Sequence, residues 1–221
     1  LKILGIDVCT GFCSVAVVEG DTTLAAQHEA MTRGHVERLA PMVAEVLSKA
    51  GLTPMNLDGI AVTTGPGSFT GARLGVSFTR GLAMAAKAPA AGISVFEAMR
   101  SDLDTHSIVA LPGKNGSFLL QSFFPDGTAT TEPADFEPTD VGRIVPESGA
   151  FTITGTASEA VMDLLSEPVR DRATLTQAPE ITAEQIARLG ARAWSNGSPK
   201  VPAPLYVRAA DAKPQMAAHL G

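Results

Sequence analysis

Residues Ala61-Val62-Thr63-Thr64-Gly65-Pro66-Gly67-Ser68-Phe69-Thr70-Gly71-Ala72-Arg73-Leu74-Gly75 pass from a short β-branched run through a glycine–proline turn into helical spacing. Such a stretch reverses tightly between a buried strand and a helix N-terminus. The N–H groups left open at that terminus have two readings: they hold an anion, or Ser68 or Thr70 caps them. The turn is neither of two familiar nucleotide loops. A Walker A loop opening at Gly65 needs Gly-Lys where Thr70-Gly71 stand, and Gly-x-Gly-x-x-Gly fails at Thr70. A P-loop NTPase and a dinucleotide enzyme are therefore disfavoured.

Outward from this turn, residues 59–64 read as a strand and 69–87 as a helix stopped before Pro89. A short strand is expected near 91–95. Upstream, residues 2–7 and 13–19 read as strands joined at Thr10-Gly11, and 22–30 as a third after the Gly20-Asp21 turn. Val36, Leu39, Val43, Val46, Leu47 and Ala50 recur at helical spacing, which predicts an amphipathic helix over 35–50 ending at Gly51. The order β-β-β-α-β-α-β suggests a mixed sheet covered by helices.

The second half carries weaker signals. Strands are expected at 108–111 and 117–124 around the turn 113–116, and at 151–155, with helices over 156–166 and 182–196. Residues 132–149, rich in Pro, Asp and Glu, read as a surface loop. No internal repeat is visible. The segment after Pro204 either returns to the first lobe or frays.

At 221 residues the chain is long enough for two lobes, expected at 1–103 and 104–208 with a tail over 209–221. A net charge of −6 argues against broad electrostatic capture of nucleic acid, although Arg73, Arg80 and Lys87 are local basic spots. No apolar run reaches the roughly 20 residues of a membrane helix, so no membrane association is expected. The opening Leu1-Lys2-Ile3-Leu4-Gly5-Ile6-Asp7 turns acidic too soon for a secretory signal. With only Cys9 and Cys13, no disulfide framework is expected, and a cytoplasmic location follows as the default.

Three segments together carry a resemblance. Ile3 to Thr10 with Ser14-Val15-Ala16 resembles the first phosphate hairpin of the actin- and hexokinase-like ATPase superfamily. His35-Val36-Glu37-Arg38-Leu39-Ala40-Pro41 and the Thr63–Gly75 stretch resemble the TsaB (YeaZ-like) family, and Pro204-Leu205-Tyr206-Val207-Arg208 resembles its closing motif. The match is specific over the first hundred residues and at this late motif.

The resemblance implies an α/β fold of two actin-like (ASKHA, ribonuclease-H-like) lobes, each a mixed sheet flanked by helices. It implies a non-catalytic dimerisation subunit for the TsaD-type paralogue, which forms N6-threonylcarbamoyladenosine beside the anticodon of tRNA. A TsaE-type P-loop ATPase completes the assembly, and tRNA is met mainly through the complex. The free chain, lacking that partner, is expected to offer a homodimer surface. No cofactor is expected beyond weak ATP or ADP binding. On this reading Asp7, Thr10, Gly65, Gly67 and Ser68 are vestigial phosphate-site residues. Asp7 and Thr10 keep a second reading, in which Asp7 simply hydrogen-bonds the local turn.

The partner surface is placed on the helices 35–50 and 69–87, through His35, Arg38, Leu39, Met42, Gly71, Arg73, Leu74, Gly75 and Phe78. Packing of the two helices within the chain is the alternative use of their small side chains. No metal is expected: the catalytic paralogue uses His-x-x-x-His, and none of His28, His35, His106 and His219 shares that spacing. A metallopeptidase, suggested by the wider glycoprotease group, thus lacks a ligand set. Where the family places an acidic Asp-Ala-Arg motif this chain has Leu111-Pro112-Gly113-Lys114, which weakens the alternative of a stand-alone ATPase or kinase using Asp7 and the Gly65 turn.

Overall fold

A computed structural model describes residues 1–100, 103–197 and 199–207. The first half runs β1 (Lys2–Asp7), β2 (Phe12–Glu19), β3 (Thr22–Ala30), α1 (His35–Lys49), β4 (Gly59–Thr63), α2 (Phe69–Ala86), β5 (Ala90–Ile93) and α3 (Val95–Arg100). The second runs β6 (Ser107–Pro112), β7 (Phe118–Phe123), β8 (Ala134–Phe136), β9 (Phe151–Thr154), α4 (Ser158–Leu164), α5 (Glu167–Arg170), β10 (Ala173–Leu175) and α6 (Ala183–Ser195).

The first sheet has the order β3-β2-β1-β4-β5, with β1–β2 and β2–β3 antiparallel and β1–β4 and β4–β5 parallel. Read from its other edge, the second is β8-β7-β6-β9-β10 with the same senses of pairing. The two lobes therefore repeat one topology, a duplication that the sequence does not display. This is the pair of actin-like lobes, each a five-stranded mixed sheet flanked by helices.

Alternation along β1 and β4 divides the core. Leu4, Ile6, Ile60 and Val62 face α1 and α2, joining Leu39, Met42, Val46 and Val76 in one cluster. Ile3 and Ala61 face the opposite way, toward α6 and α3, with Phe96, Ile186 and Ala187. α6 and residues 200–207, grouped with the second lobe on sequence, thus lie against the first sheet. Glycines permit this closeness: a Cβ on Gly5 would fall 1.9 Å from the Ala183 carbonyl oxygen, and one on Gly59 2.5 Å from the Trp194 ring.

Residues 132–149 differ from the surface loop expected of them. Ala134–Phe136 pairs with β7, and the 3-10 turn Pro138–Ile144 buries Val141 and Ile144 in the second core. Glu132, Glu137, Pro138 and Glu147 stay exposed while two apolar residues anchor the segment. The strand expected near 91–95 ends at Ile93, and Val95 opens α3, capped reciprocally by Ser94 and Glu97. After α6 the chain returns to the first lobe: Gly92 N–H donates to the Lys200 carbonyl at 2.8 Å, and Leu205 N–H to that of Thr64 at 2.8 Å. The tail expected over 209–221 lies outside the described residues.

Candidate functional site

Asp7 ends β1, and the parallel register that sets Ile6 beside Val62 brings Thr63 alongside it. Its carboxylate is 0% exposed and fully occupied. Oδ1 accepts from Thr63 Oγ1 at 2.5 Å and from Cys9 N–H at 3.0 Å, while Oδ2 accepts from Thr10 Oγ1. Burial pushes the Asp7 carboxyl above its ordinary value, against the pull of these hydrogen bonds. Thr10 therefore belongs to a closed network around Asp7, with Thr63 a member that the sequence reading missed. The signal was present in the side-by-side ends of two parallel strands, one acid and one hydroxyl, but becomes visible only with their register.

The Gly65 turn packs on this hairpin. Gly65 has φ +99°, which favours glycine, and a Cβ on Gly67 would come 2.4 Å from the Cys9 carbonyl oxygen. That oxygen accepts from Ser68 N–H at 3.0 Å. Ser68 caps α2, its Oγ accepting from Gly71 N–H at 3.1 Å, so of the two hydroxyls weighed for that task Ser68 performs it.

A cleft of about 1110 Å³ opens between the lobes. Thr10, Gly65, Gly67 and Arg73 line it from the first lobe, Leu111 to Lys114 and Thr156 from the second, and Val95, Met99, Leu119 and Leu205 make much of its wall apolar. Asp7 is absent from the lining: Cys9 and Thr10 stand between it and the space. Pro112 pairs with Phe118 at the end of β6, so this strand end brings a proline rather than a carboxylate to the cleft.

The nine partner-surface candidates separate by burial. Leu39 and Met42 are wholly buried in the first core. Gly71 and Gly75 also face inward: an added Cβ would lie 1.9 Å from the Val8 carbonyl oxygen and 2.8 Å from Val8 Cγ2, respectively. These four are correctly part of the intrachain packing and cannot present a surface. His35, Leu74 and Phe78 are half-buried, and Arg73 is exposed. Arg38, half-buried, reaches Glu29 at 2.6 Å and Glu45 at 2.8 Å, fastening α1 to β3, and this guanidinium holds the Glu45 carboxyl down to about 2. Gly71, Ala72, Gly75, Ala83 and Ala86 thus serve the seat of α2 on the sheet, and its outer face carries Phe69, Arg73, Ser77, Arg80 and Met84.

Among the described residues no group of three or more His, Cys, Asp or Glu side chains is placed to hold a metal. Cys9 and Cys13 are free, buried thiols, raised by burial to about 12 and about 11. No helix among the described residues is long and apolar enough to cross a membrane.

The family model for tRNA N6-adenosine threonylcarbamoyltransferase (TsaD) matches residues 24–121. The tRNA threonylcarbamoyladenosine biosynthesis protein TsaB of Escherichia coli K12 is 32% identical over 193 residues, covering 81% of this chain and 83% of its own. Among solved structures, a Pseudomonas aeruginosa protein described as similar to the peptidase YeaZ superposes with a TM-score of 0.76 at 24% identity, over 94% of this chain and 99% of the other. A ROK hexokinase from Thermus thermophilus superposes with a TM-score of 0.53 at 13% identity, over 85% and 96%, a likeness of fold alone. With two lobes of this topology, an Asp7 hairpin at the cleft and a relative matched along most of both chains, the protein belongs to the TsaB family.

Proposed function

We propose that this chain is a non-catalytic subunit in the formation of N6-threonylcarbamoyladenosine on tRNA, docking a TsaD-type catalytic paralogue through the outer faces of α1 and α2. The observation that carries the reading is the enclosure of Asp7. An acid that orients a metal-bound water must reach the cleft, whereas this one spends both oxygens on Thr10, Thr63 and the Cys9 amide. The hairpin retains the superfamily's shape as a packing unit.

Two further observations support the docking role. α1 and α2 share one core cluster on one face of the sheet, yet their outer sides leave Val36, Phe69 and Met84 exposed. The TsaD model also matches a segment running from β3 through most of β7, so chain and partner have related folds, and two related lobes pair readily about a pseudo-symmetric interface. A TsaE-type ATPase and tRNA join through the assembly; the net charge of −6 suits a subunit that leaves most phosphate contacts to others. A tRNA substrate places the protein in the cytoplasm.

Reconstitution tests this. The purified chain alone should transfer no threonylcarbamoyl group to tRNA, and should restore modification when mixed with the TsaD-type subunit, the TsaE-type ATPase, tRNA and the activated donor. Modification by the isolated chain, or saturable ATP hydrolysis that collapses in Asp7→Ala, would establish the stand-alone enzyme instead.

A further inference from the structure

Residues 200–207 form a strap that crosses the β5 edge and ends against α2. It is fixed by the Gly92 and Thr64 backbone bonds, by Lys200 Nζ on Glu97 Oε1 at 2.7 Å, and by Pro202 seated on Gly92. This fixation sets Tyr206 beside Phe69, their ring centroids 5.5 Å apart. Arg73 is held by both: its guanidinium carbon lies 3.8 Å from the Phe69 centroid, and its Nε donates to Tyr206 Oη at 2.8 Å.

The arrangement immobilises a cation without neutralising it. Among the described residues no carboxylate pairs with Arg73, and its Nη1 and Nη2 have no hydrogen-bond partner. With Nε engaged, those two groups remain as an end-on fork matched to a carboxylate. Phe69 and Tyr206 stay 51% and 49% exposed, a large aromatic area left open around one charge. Aromatic and arginine side chains gathered in this way are typical of the centre of a protein interface.

We infer that Arg73, clamped by Phe69 and Tyr206, is a preset receptor for one carboxylate side chain of the catalytic partner, and that Tyr206 is its positioning residue. The inference rests on the docking role proposed above. A protein carboxylate fits better than an RNA phosphate. The hollow beside Arg73, about 370 Å³, is lined by Phe69, Thr70, Leu74 and Ser77 with no second basic side chain, and the other basic residue of the adjoining cleft, Lys114, belongs to the second lobe and is already engaged. Backbone phosphates are bound by several cations together, whereas a single carboxylate entering an apolar rim is well served by one.

The test measures affinity for the purified TsaD-type subunit by calorimetry. Arg73→Ala should weaken binding about tenfold or more, and Arg73→Lys, which keeps the charge but loses fork and stack, nearly as much. Tyr206→Phe removes only the acceptor and should weaken it roughly threefold to tenfold, while Arg73→Ala/Tyr206→Phe should bind no worse than Arg73→Ala. Thermal melting of each variant should match wild type, since both substituted side chains lie at the surface. Absence of binding by the wild-type chain overturns the docking role itself. Wild-type binding with every variant within about twofold, or with additive losses, overturns this inference alone. Unchanged partner affinity with weaker retention of tRNA by the complex also overturns it, in favour of a phosphate.

Discussion

At Asp7 an apolar strand ends in an acid that the fold closes over. Its three donors hold the carboxylate in place, but burial is the larger influence and lifts its pKa above the ordinary 3.8. Between those two values the folded chain binds more protons at this position than the unfolded chain, so stability contributed here falls as pH rises. Asp7→Asn has no such titration. Whatever constant offset its altered hydrogen bonds bring, the stability of Asp7→Asn relative to wild type should climb as pH is raised from about 3.5 toward 7. Urea denaturation along a pH series measures this, and a flat difference would mean that burial is not the dominant influence on Asp7.

Within elements, α2 has its small residues on two faces with opposite roles. Gly71 is pressed against the Val8 carbonyl, a backbone atom that cannot swing aside, while Gly81 has nothing within 4 Å of its would-be Cβ. Gly81→Ala should therefore stabilise the chain by about 0.5–1 kcal/mol, the usual helix-interior difference between these residues. Gly71→Ala should cost about 1–3 kcal/mol or more through overpacking. Chemical denaturation of both variants checks the pair, and equal effects would contradict the assigned orientation of α2. The same helix explains what could be read in advance. Helical spacing marked α1 because one flank is apolar and the other charged, and it marked α2 because a capped turn precedes it. It did not mark α3, where Val95, Phe96, Ala98, Met99 and Arg100 are all buried and no polar flank sets a period. β8 and β10 have three residues each, too few for alternation to appear. At the site the Asp7 hairpin was legible because strand and turn lie together in sequence, but its enclosure depends on Thr63, 56 residues away. The burial of Gly71 and Gly75 depends likewise on Val8, which follows β1 far earlier in the chain and packs beneath α2.

For the molecule as a whole, the duplicated lobes are not independent, because the first is finished by the end of the chain. Residues 1–103 hold the complete first sheet, yet its face carrying Ile3, Gly5 and Ala61 is covered by α6. That cover is close: Ala183 N–H donates to Ser14 Oγ at 3.2 Å, Trp194 lies over Gly59, and a Cβ on Gly190 would come 2.5 Å from that of Ala61. Removing α6 uncovers an apolar sheet face with small residues that no local side chain can shield, and removing the strap with it frees the β5 edge held by Lys200. The fragment 1–103 should consequently show no cooperative thermal transition, whereas the whole chain should. Supplying a peptide covering 177–207 should restore a sigmoidal melt to the fragment, because that segment carries both the α6 face and the strap. A cooperative melt from 1–103 alone would mean that α1 and α2, on the opposite face, suffice to hold the sheet, and that the returning chain serves only to place Tyr206 on the α2 surface.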